Sequence, residues 1–519
     1  ALLLLVSACS GDAAKIHAAE APEPQPTASV ADPSSTTPAD SASNGGAPPG
    51  DAQPISEPPT GAGGEPGPRE LTQERARVVV LTDIANEPDD YQSLVRFLVY
   101  ASEWDVEALL ATTSQWQPNR VDPGSIEARV KAYGAVLSNL KLHADGWPSA
   151  EELLNRTGAC LPQFGMAAVG AGKDSNGSER IVSILEDEDP RPVWVTAWGG
   201  TNCLAQALWT LRESRSPAEL QAAVAKLRVY AIADQDDSGP WLRENFPELF
   251  YIASPGGSPE GYPTSTWVGI SGERFFNFET GADFSIVDNP WHHQHVRTGH
   301  GPLGALHAQT AIILEGDTPS FLYLIPNGLG HPEHPNWGSW GGRYEWRQPT
   351  TMPWFRQAET RASWTDAADK VTGANGMTYQ DNRASIWRFR QAFQNDFAAR
   401  MDWCVQPRDA ANHHPNVVVA GSSGLSTLVL AAAPAEVLQL DASSSTDPDQ
   451  DTLAFNWWLY DEAGKATAPL AVENAATPAA TLRVPDQARP GDAFHVILEV
   501  NDDGAPALTS YRRIIVEIE

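Results

Sequence analysis

Four carboxylates fall within the stretch Thr82-Asp83-Ile84-Ala85-Asn86-Glu87-Pro88-Asp89-Asp90. Crowded into one loop, Asp83, Glu87, Asp89 and Asp90 raise one another's pKa by repulsion unless a counterion intervenes. A hard divalent cation removes that cost. Ca²⁺ accepts about six to eight oxygen ligands in irregular geometry, whereas Mg²⁺ keeps more water, so the loop reads as a Ca²⁺ site. Asp89 and Asp90 equally suit a helix start, where the macrodipole favours negative charge.

The loop is positioned by what flanks it. Val78-Val79-Val80-Leu81 is a short, unbroken apolar run, the pattern of a strand buried on both faces of a parallel sheet. Leu94, Val95 and Leu98 then recur at helical spacing. The acidic loop therefore sits at the carboxyl end of a strand, the edge where open α/β sheets bind ligands. Further strand-like runs, Val106 to Thr112, Val193 to Ala197 and Leu227 to Ile232, alternate with helical patterns such as Ile126 to Leu140 and Asn202 to Leu211. That alternation implies an α/β domain over residues 76–404, a mostly parallel sheet with helices on both faces.

The 519 residues exceed one ordinary core. Residues 405–519 carry strand-like runs separated by turns, Ser426 to Ala431, Val437 to Leu440, Leu453 to Leu459, Phe494 to Val500 and Tyr511 to Glu519, as in an all-β immunoglobulin-like sandwich. Residues 10–75 are mainly Ala, Pro, Ser, Thr and Gly, too poor in large apolar side chains to offset ordering entropy, and read as a disordered linker. As a flexible coil it would span on the order of 45 Å. Ahead of it, Leu2 to Val6 is apolar and Val6-Ser7-Ala8-Cys9 places small residues before a cysteine. The net charge of -31 argues against nucleic acid or anionic polysaccharide as a partner. Cys160, Cys203 and Cys404 permit one bridge in an oxidising compartment, with the pairing open, and no cysteine spacing suggests zinc.

Several of these segments resemble known families. Residues 1–9 are similar to the signal remnant and lipobox of a bacterial lipoprotein, which makes Cys9 the lipidation site and the protein exported and membrane-anchored through that lipid; a conventional secretory signal is the alternative and also exports it. The Asp441 to Leu453 stretch resembles an element of PKD-like and cadherin-like modules, in which Trp457 or Trp458 is the core tryptophan of the next strand. The acidic loop, together with Val193-Trp194-Val195-Thr196-Ala197-Trp198-Gly199-Gly200-Thr201-Asn202, resembles the inosine-uridine type nucleoside hydrolases. By that resemblance Asp83 touches Ca²⁺ and serves as general base, Asp90 chelates, Asp89 binds sugar hydroxyls, Thr201 lends a carbonyl to the metal, and Asp317 of Glu315-Gly316-Asp317-Thr318-Pro319 is the last chelator. The departures are a longer first loop, Gly316 where a leaving-group histidine is expected, and Gln235-Asp236-Asp237-Ser238-Gly239-Pro240-Trp241 in place of a glycine-rich turn. With Asn336 to Tyr344 they resemble instead an exported bacterial family described as nucleoside hydrolase-like and cellulose-binding, which carries a C-terminal β-sandwich.

The chemistry this implies is a Ca²⁺-dependent glycoside hydrolase acting on plant or algal cell-wall glycans. Asp83 takes a proton from water attacking the anomeric carbon, and an acid stands on the opposite face, about 6.5 to 9.5 Å away. Asp236, Asp237, Glu333, His331 and His334 are acid candidates; for Asp236 and Asp237 the alternative is binding sugar hydroxyls. Trp116, Trp198, Trp241, Trp337 and Trp340, among 18 tryptophans, lie in loops and could stack on a pyranose, whereas Trp194 and Trp209 belong to packing. Glu87, Asn119, Asn202, Asn245 and Arg343 complete the candidate substrate-binding set. Trp291-His292-His293-Gln294-His295 invites a transition-metal reading, imidazole being the commonest ligand, but no carboxylate sits at useful helical spacing and the cluster reads as a surface loop, with one histidine available to line the pocket. The alternatives are an N-ribosyl hydrolase and a carbohydrate-binding protein without catalysis.

Overall fold

The structure, a computed structural model, describes residues 69–254, 262–271, 281–311, 313–349, 361–466 and 468–519. The lipobox with Cys9 and the linker up to residue 68 lie outside them. Among the described residues no helix is long and apolar enough to cross a membrane.

The chain opens with β1 (Arg69–Leu71), followed by β2 (Arg77–Thr82), β3 (Asp105–Ala111), β4 (Thr157–Ala159), β5 (Val193–Ala197), β6 (Leu227–Ala233), β7 (Phe250–Ser254), β8 (Tyr344–Arg347) and β9 (Ser363–Asp366). Strands β2 to β9 form one sheet in the order β4-β3-β2-β5-β6-β7-β9-β8. Every pairing is parallel except β8 with β9. The chain winds outward from β2 through β3 to β4, then returns to lay β5 on the other side of β2. The switch point lies between the carboxyl ends of β2 and β5, where the two connecting helices leave in opposite senses and open a crevice.

Both faces of the sheet are covered, as the unbroken β2 run requires. Val78 and Val80 join one core with Leu94, Val95 and Leu98 of α1 (Pro88–Val99) and with Ile126, Val130 and Tyr133 of α2 (Pro123–His143). Val79 and Leu81 join the opposite core, with Ile181 and Leu185 of α4 (Asn176–Leu185) and Leu204 and Leu208 of α5 (Asn202–Ser214). The short α3 (Ala150–Asn155) starts with a capping box in which Ser149 and Glu152 satisfy each other's backbone N–H groups. Cys160, just past β4, is disulfide-bonded to Cys203 at the start of α5, and Cys404 is a buried free thiol.

The second domain is the expected all-β sandwich. Its larger sheet has Thr427–Ala432, Thr509–Ile518, Ala493–Asn501 and Ala454–Leu459 side by side, and its smaller one has Val437–Asp441, Ala479–Arg483 and Ala471–Glu473. Trp457 fills the sandwich core. Its neighbour Trp458 points the other way, since successive strand residues face opposite sides, and packs beneath Arg388 of the α/β domain, 4.6 Å from guanidinium to ring centroid. The interface is deep: Tyr460 and Tyr511 belong to the α/β core, Tyr460 Oη donates to Asp369 at 2.6 Å, and Arg513 donates to the carbonyls of Leu329 and Trp337 at 2.7 and 2.9 Å. Neither tryptophan of the pair is left free to stack on sugar.

One boundary moves. Residues 69–75, read from sequence as the end of the linker, are folded: β1 pairs antiparallel with Thr427–Ala432 of the sandwich, and Arg75 donates to Asp105 at 2.8 Å.

Candidate active site

Asp83 leaves the end of β2 at the switch point. Its Oδ2 accepts from Ser114 Oγ at 2.5 Å, and Gln117 Nε2 donates to the carbonyls of Asp83 and Ile84 at 3.0 and 3.2 Å, so the loop after β3 holds the loop after β2. The other oxygen, Oδ1, faces Gly199 just past β5, where a Cβ would stand only 2.8 Å from it. Glycine there leaves room for the carboxyl. The chain then turns through Ala85, at φ 87°, a left-handed conformation that L-residues adopt at a cost, and enters α1 with Glu87 as N-cap and Pro88 in the first turn. That turn delivers Asp89 and Asp90 into the crevice, with Thr82 Oγ1 donating to Asp90 Oδ1.

Asp317 arrives from a distant segment, just before the short helix Pro319–Leu322. Oxygens of Asp89, Asp90 and Asp317 lie within 4.8 Å of one another, all three residues buried. Gly316 makes the approach possible: a Cβ on it would stand 2.9 Å from Asp89 Oδ2. Asp89 Oδ1 and Asp317 Oδ2 are buried and have no hydrogen-bond partner among the described residues. Burial drives every carboxyl here upward: Asp83 to about 6, Glu87 to about 7 with Asp83 adding repulsion, and Asp89 to about 8 with Glu87 and Asp83 adding theirs. Asp90 and Asp317 are raised well above the carboxylate range by burial and by their acidic neighbours. Ionised together without compensation, such groups are costly. An all-oxygen donor set with orphaned atoms fits a hard cation such as Ca²⁺.

The second wall is built on β5 and β6. Gly200 N donates to Thr113 O at 2.8 Å, and a Cβ on Gly200 would stand 2.2 Å from Asp236 Oδ2. Asp236 is sealed behind this glycine. Its Oδ1 accepts from Ser238 N at 2.9 Å and from Ser238 Oγ, its Oδ2 accepts from Asn202 N at 3.3 Å, and burial pushes its carboxyl up to about 6. Asp237 Oδ1 accepts from Met166 N at 2.8 Å.

The remaining candidates divide by place. Asn202 is wholly buried and braces the wall, accepting from Thr112 Oγ1 at 2.8 Å and donating to Thr113 Oγ1 and Gln163 O at 3.1 and 2.8 Å. Thr201's carbonyl accepts from Ala205 N at 3.0 Å, which aims it along α5. Trp116 is 46% exposed on the loop that carries Ser114, with Asn119 exposed beyond it. Trp198 is a correction: it is wholly buried among Phe97 and Phe321, and its indole N–H donates to Ser320 Oγ at 2.9 Å. Trp340 is likewise buried, against Phe393 and Tyr511, and Arg343 is ion-paired with Asp369 at 2.6 Å. Trp241 and Asn245 lie on the helix Ser238–Asn245, the first against Phe246, the second bonded to Arg212. Glu333 is taken up by Arg228 at the start of β6, at the amino end of the strands, and His331 lines a hollow there with Thr72 to Ala76. His334 stacks on Trp337 at 4.0 Å between ring centroids. None of these last residues reaches the crevice. Sequence reasoning missed Ser114, Gln117 and Thr82, the donors that fix the acidic loop; their only signal was position at the carboxyl ends of β2 and β3.

Comparison with known proteins agrees with this architecture. Residues 77–344 match the family described as cellulose-binding Sde182, nucleoside hydrolase-like domain, and residues 437–518 match the C-terminal domain of cellulose-binding protein Sde0182. A solved nucleoside hydrolase-related hypothetical protein from Saccharophagus degradans, associated with carbohydrate metabolism, is 34% identical with a TM-score of 0.73, over 86% of this chain and 100% of that one. The type III effector XopQ, complexed with adenosine diphosphate ribose, is 12% identical with a TM-score of 0.29 over 64% and 96%, a likeness too slight to inform function. No curated protein matches. The chain belongs to the cellulose-binding Sde182 family, combining its nucleoside hydrolase-like domain with its C-terminal domain.

Proposed function

We propose that the protein is an exported Ca²⁺-dependent glycoside hydrolase of plant or algal cell-wall glycans. The observation that carries this reading is the convergence of Asp89, Asp90 and Asp317 at the switch point, near enough to Asp83 to feel its charge, with two buried oxygens lacking a partner among the described residues. Asp89, Asp90 and Asp317 would hold the cation, with Asp83 beside them. Bound there, Ca²⁺ would supply charge to orient sugar hydroxyls and to lower the pKa of water.

The chain's own groups do the rest. Ser114 Oγ occupies Asp83 Oδ2, leaving Oδ1, beside Gly199, to accept a proton from the attacking water. Glu87 is half-buried, its carboxyl pushed up to about 7 first by burial and then by Asp83. A dication bound beside it would draw that carboxyl down again, so Glu87 is kept as a ligand for a sugar hydroxyl and not as the acid. Asp236, with both oxygens engaged, positions Gly200 and Asn202 instead. Trp116, open to solvent, would give a sugar ring an apolar face. Export through a lipidated Cys9 is part of the same reading, and the Cys160–Cys203 disulfide suits an oxidising compartment.

A binding-only role is favoured by the family's cellulose-binding description. The two are separated by incubating the full chain with polysaccharides, oligosaccharides and nucleosides in Ca²⁺ or EDTA, beside Asp83→Asn. Reducing-end release from a glycan that is lost in EDTA and in the variant supports hydrolysis. Glycan retention without turnover makes it a binding protein, and cleavage of nucleosides alone overturns the substrate class.

A further inference from the structure

A second set of metal-type ligands lies outside the carboxylate crevice. His292, His307 and Glu315 come from three separate segments, and their ligand atoms lie within 4.8 Å of one another. All three are sealed from solvent, at 0%, 2% and 1% exposure. The rings of His292 and His307 stack with centroids 5.1 Å apart, and His307 Nε2 stands 3.5 Å from Glu315 Oε1.

We propose that His292, His307 and Glu315 form a buried site for a transition-metal dication of the Zn²⁺ type, distinct from the all-oxygen crevice. Imidazole nitrogen suits Zn²⁺ and its neighbours in the first transition row, whereas carboxylate oxygens alone suit Ca²⁺. The surroundings are those of a prepared ligand set. His292 Nδ1 donates to the Asp288 carbonyl at 2.9 Å, which fixes the tautomer with a lone pair on Nε2, and that buried Nε2 has no partner among the described residues. A hydrogen bond from the non-ligating nitrogen to a carbonyl is the usual way a protein aims a metal-binding imidazole. Glu315 is held at both ends: its backbone N–H donates to Gln92 Oε1 at 2.9 Å, and its Oε2 accepts from Arg96 at 2.7 Å. Oε1 is left toward the two histidines. A tetrahedral ion with bonds of about 2.0–2.1 Å keeps its ligands about 3.3 Å apart, so the set closes with side-chain shifts of about 1.5 Å or less. His292 is followed directly by a π-helical turn, His293–Arg297, a distortion that recurs at functional sites.

The histidine cluster of the sequence therefore divides. Only His292 enters the interior, and the carboxylate that no helical spacing supplied comes from the loop that also carries Asp317. An ion here would tie the histidine segment to that loop.

The test is to produce the full chain in medium containing Co²⁺, wash it with chelator, and measure retained cobalt per chain with its X-ray absorption spectrum. The expectation is one ion per chain with imidazole ligands, lost in His292→Ala and His307→Ala and kept in His293→Ala and Asp317→Asn. Failure of wild type to retain cobalt, retention undiminished in both histidine variants, or loss in Asp317→Asn overturns the proposal. Should the histidine variants not fold, the wild-type spectrum decides: two imidazole ligands sustain the site, and oxygen ligands alone refute it. None of these readouts depends on glycan hydrolysis, so this site and the proposed activity fail separately.

Discussion

The stability of the protein should depend on pH and Ca²⁺ together, and the sign follows from the carboxylate cluster. Asp89 rises from an ordinary 3.8 to about 8 in the folded, cation-free protein. Between those values the folded state holds a proton that the unfolded chain has released, so stability falls as pH rises through the window and levels off above it. One pKa unit is about 1.36 kcal/mol, which sets a ceiling of about 6 kcal/mol for Asp89 alone. Protons are shared within the cluster, and we expect about 2–4 kcal/mol of the effect to survive. A cation displaces the proton and neutralises the charge, so Ca²⁺ should stabilise little near pH 5 and strongly near pH 8, where saturation at 100 times the dissociation constant is worth about 2.7 kcal/mol. The assay is urea unfolding of the full chain at about pH 5 and about pH 8, each in EDTA and in Ca²⁺, with calorimetry in two buffers to count released protons. If the EDTA protein gains stability toward pH 8, or if Ca²⁺ leaves the midpoint there unmoved, the cluster is not a cation site and the reasoning fails.

Further outcomes are expected at single positions. Gly200→Ala would press a methyl group to 2.2 Å from Asp236 Oδ2 and 2.7 Å from Thr113 O; it should cost about 1–3 kcal/mol in urea unfolding, and a neutral result would mean the wall yields easily. Arg243→Met strips Asp234 of a buried partner 2.7 Å away and should cost about 3–5 kcal/mol; a loss below about 1 kcal/mol contradicts the pairing. Ala85→Gly relieves a left-handed turn at φ 87° and should raise stability by about 0.5–1 kcal/mol. A destabilised variant would show that the loop does not need that conformation.

The backbone frame was legible because its signals are local. An unbroken β-branched run, β2, needs two covered faces, and the alternation of Val78 and Val80 with Val79 and Leu81 between two cores is that need met. The acidic loop was legible too, yet the resemblance gave Asp90 to the metal and Asp89 to the sugar, whereas both stand in one helical turn and both bring an oxygen within 4.8 Å of Asp317's. Tryptophans misled where a place in a loop suggested an open face. Trp198 follows a strand end, but its indole folds back among Phe97 and Phe321 of the interior. Nor does position in a loop reveal which end of a sheet the loop serves: Glu333 belongs to the amino ends with Arg228. The partnership of Glu315 with two histidines depends on segments that meet only in the fold.

The three-residue strand Arg69–Leu71 has a consequence for how the protein can be cut. It caps the outer side of Thr427–Ala432, whose other neighbour is Thr509–Ile518. A chain started at Arg77, the natural choice from the α/β boundary, would bare the main-chain donors and acceptors of Thr427, Leu428 and Val429, the first half of the apolar Thr-Leu-Val-Leu-Ala-Ala strand. Bare strands of that kind recruit other chains. Such a truncate should self-associate through the sandwich even with its crevice intact, and its oligomers would report the missing lid of a sheet, not the protein's natural assembly.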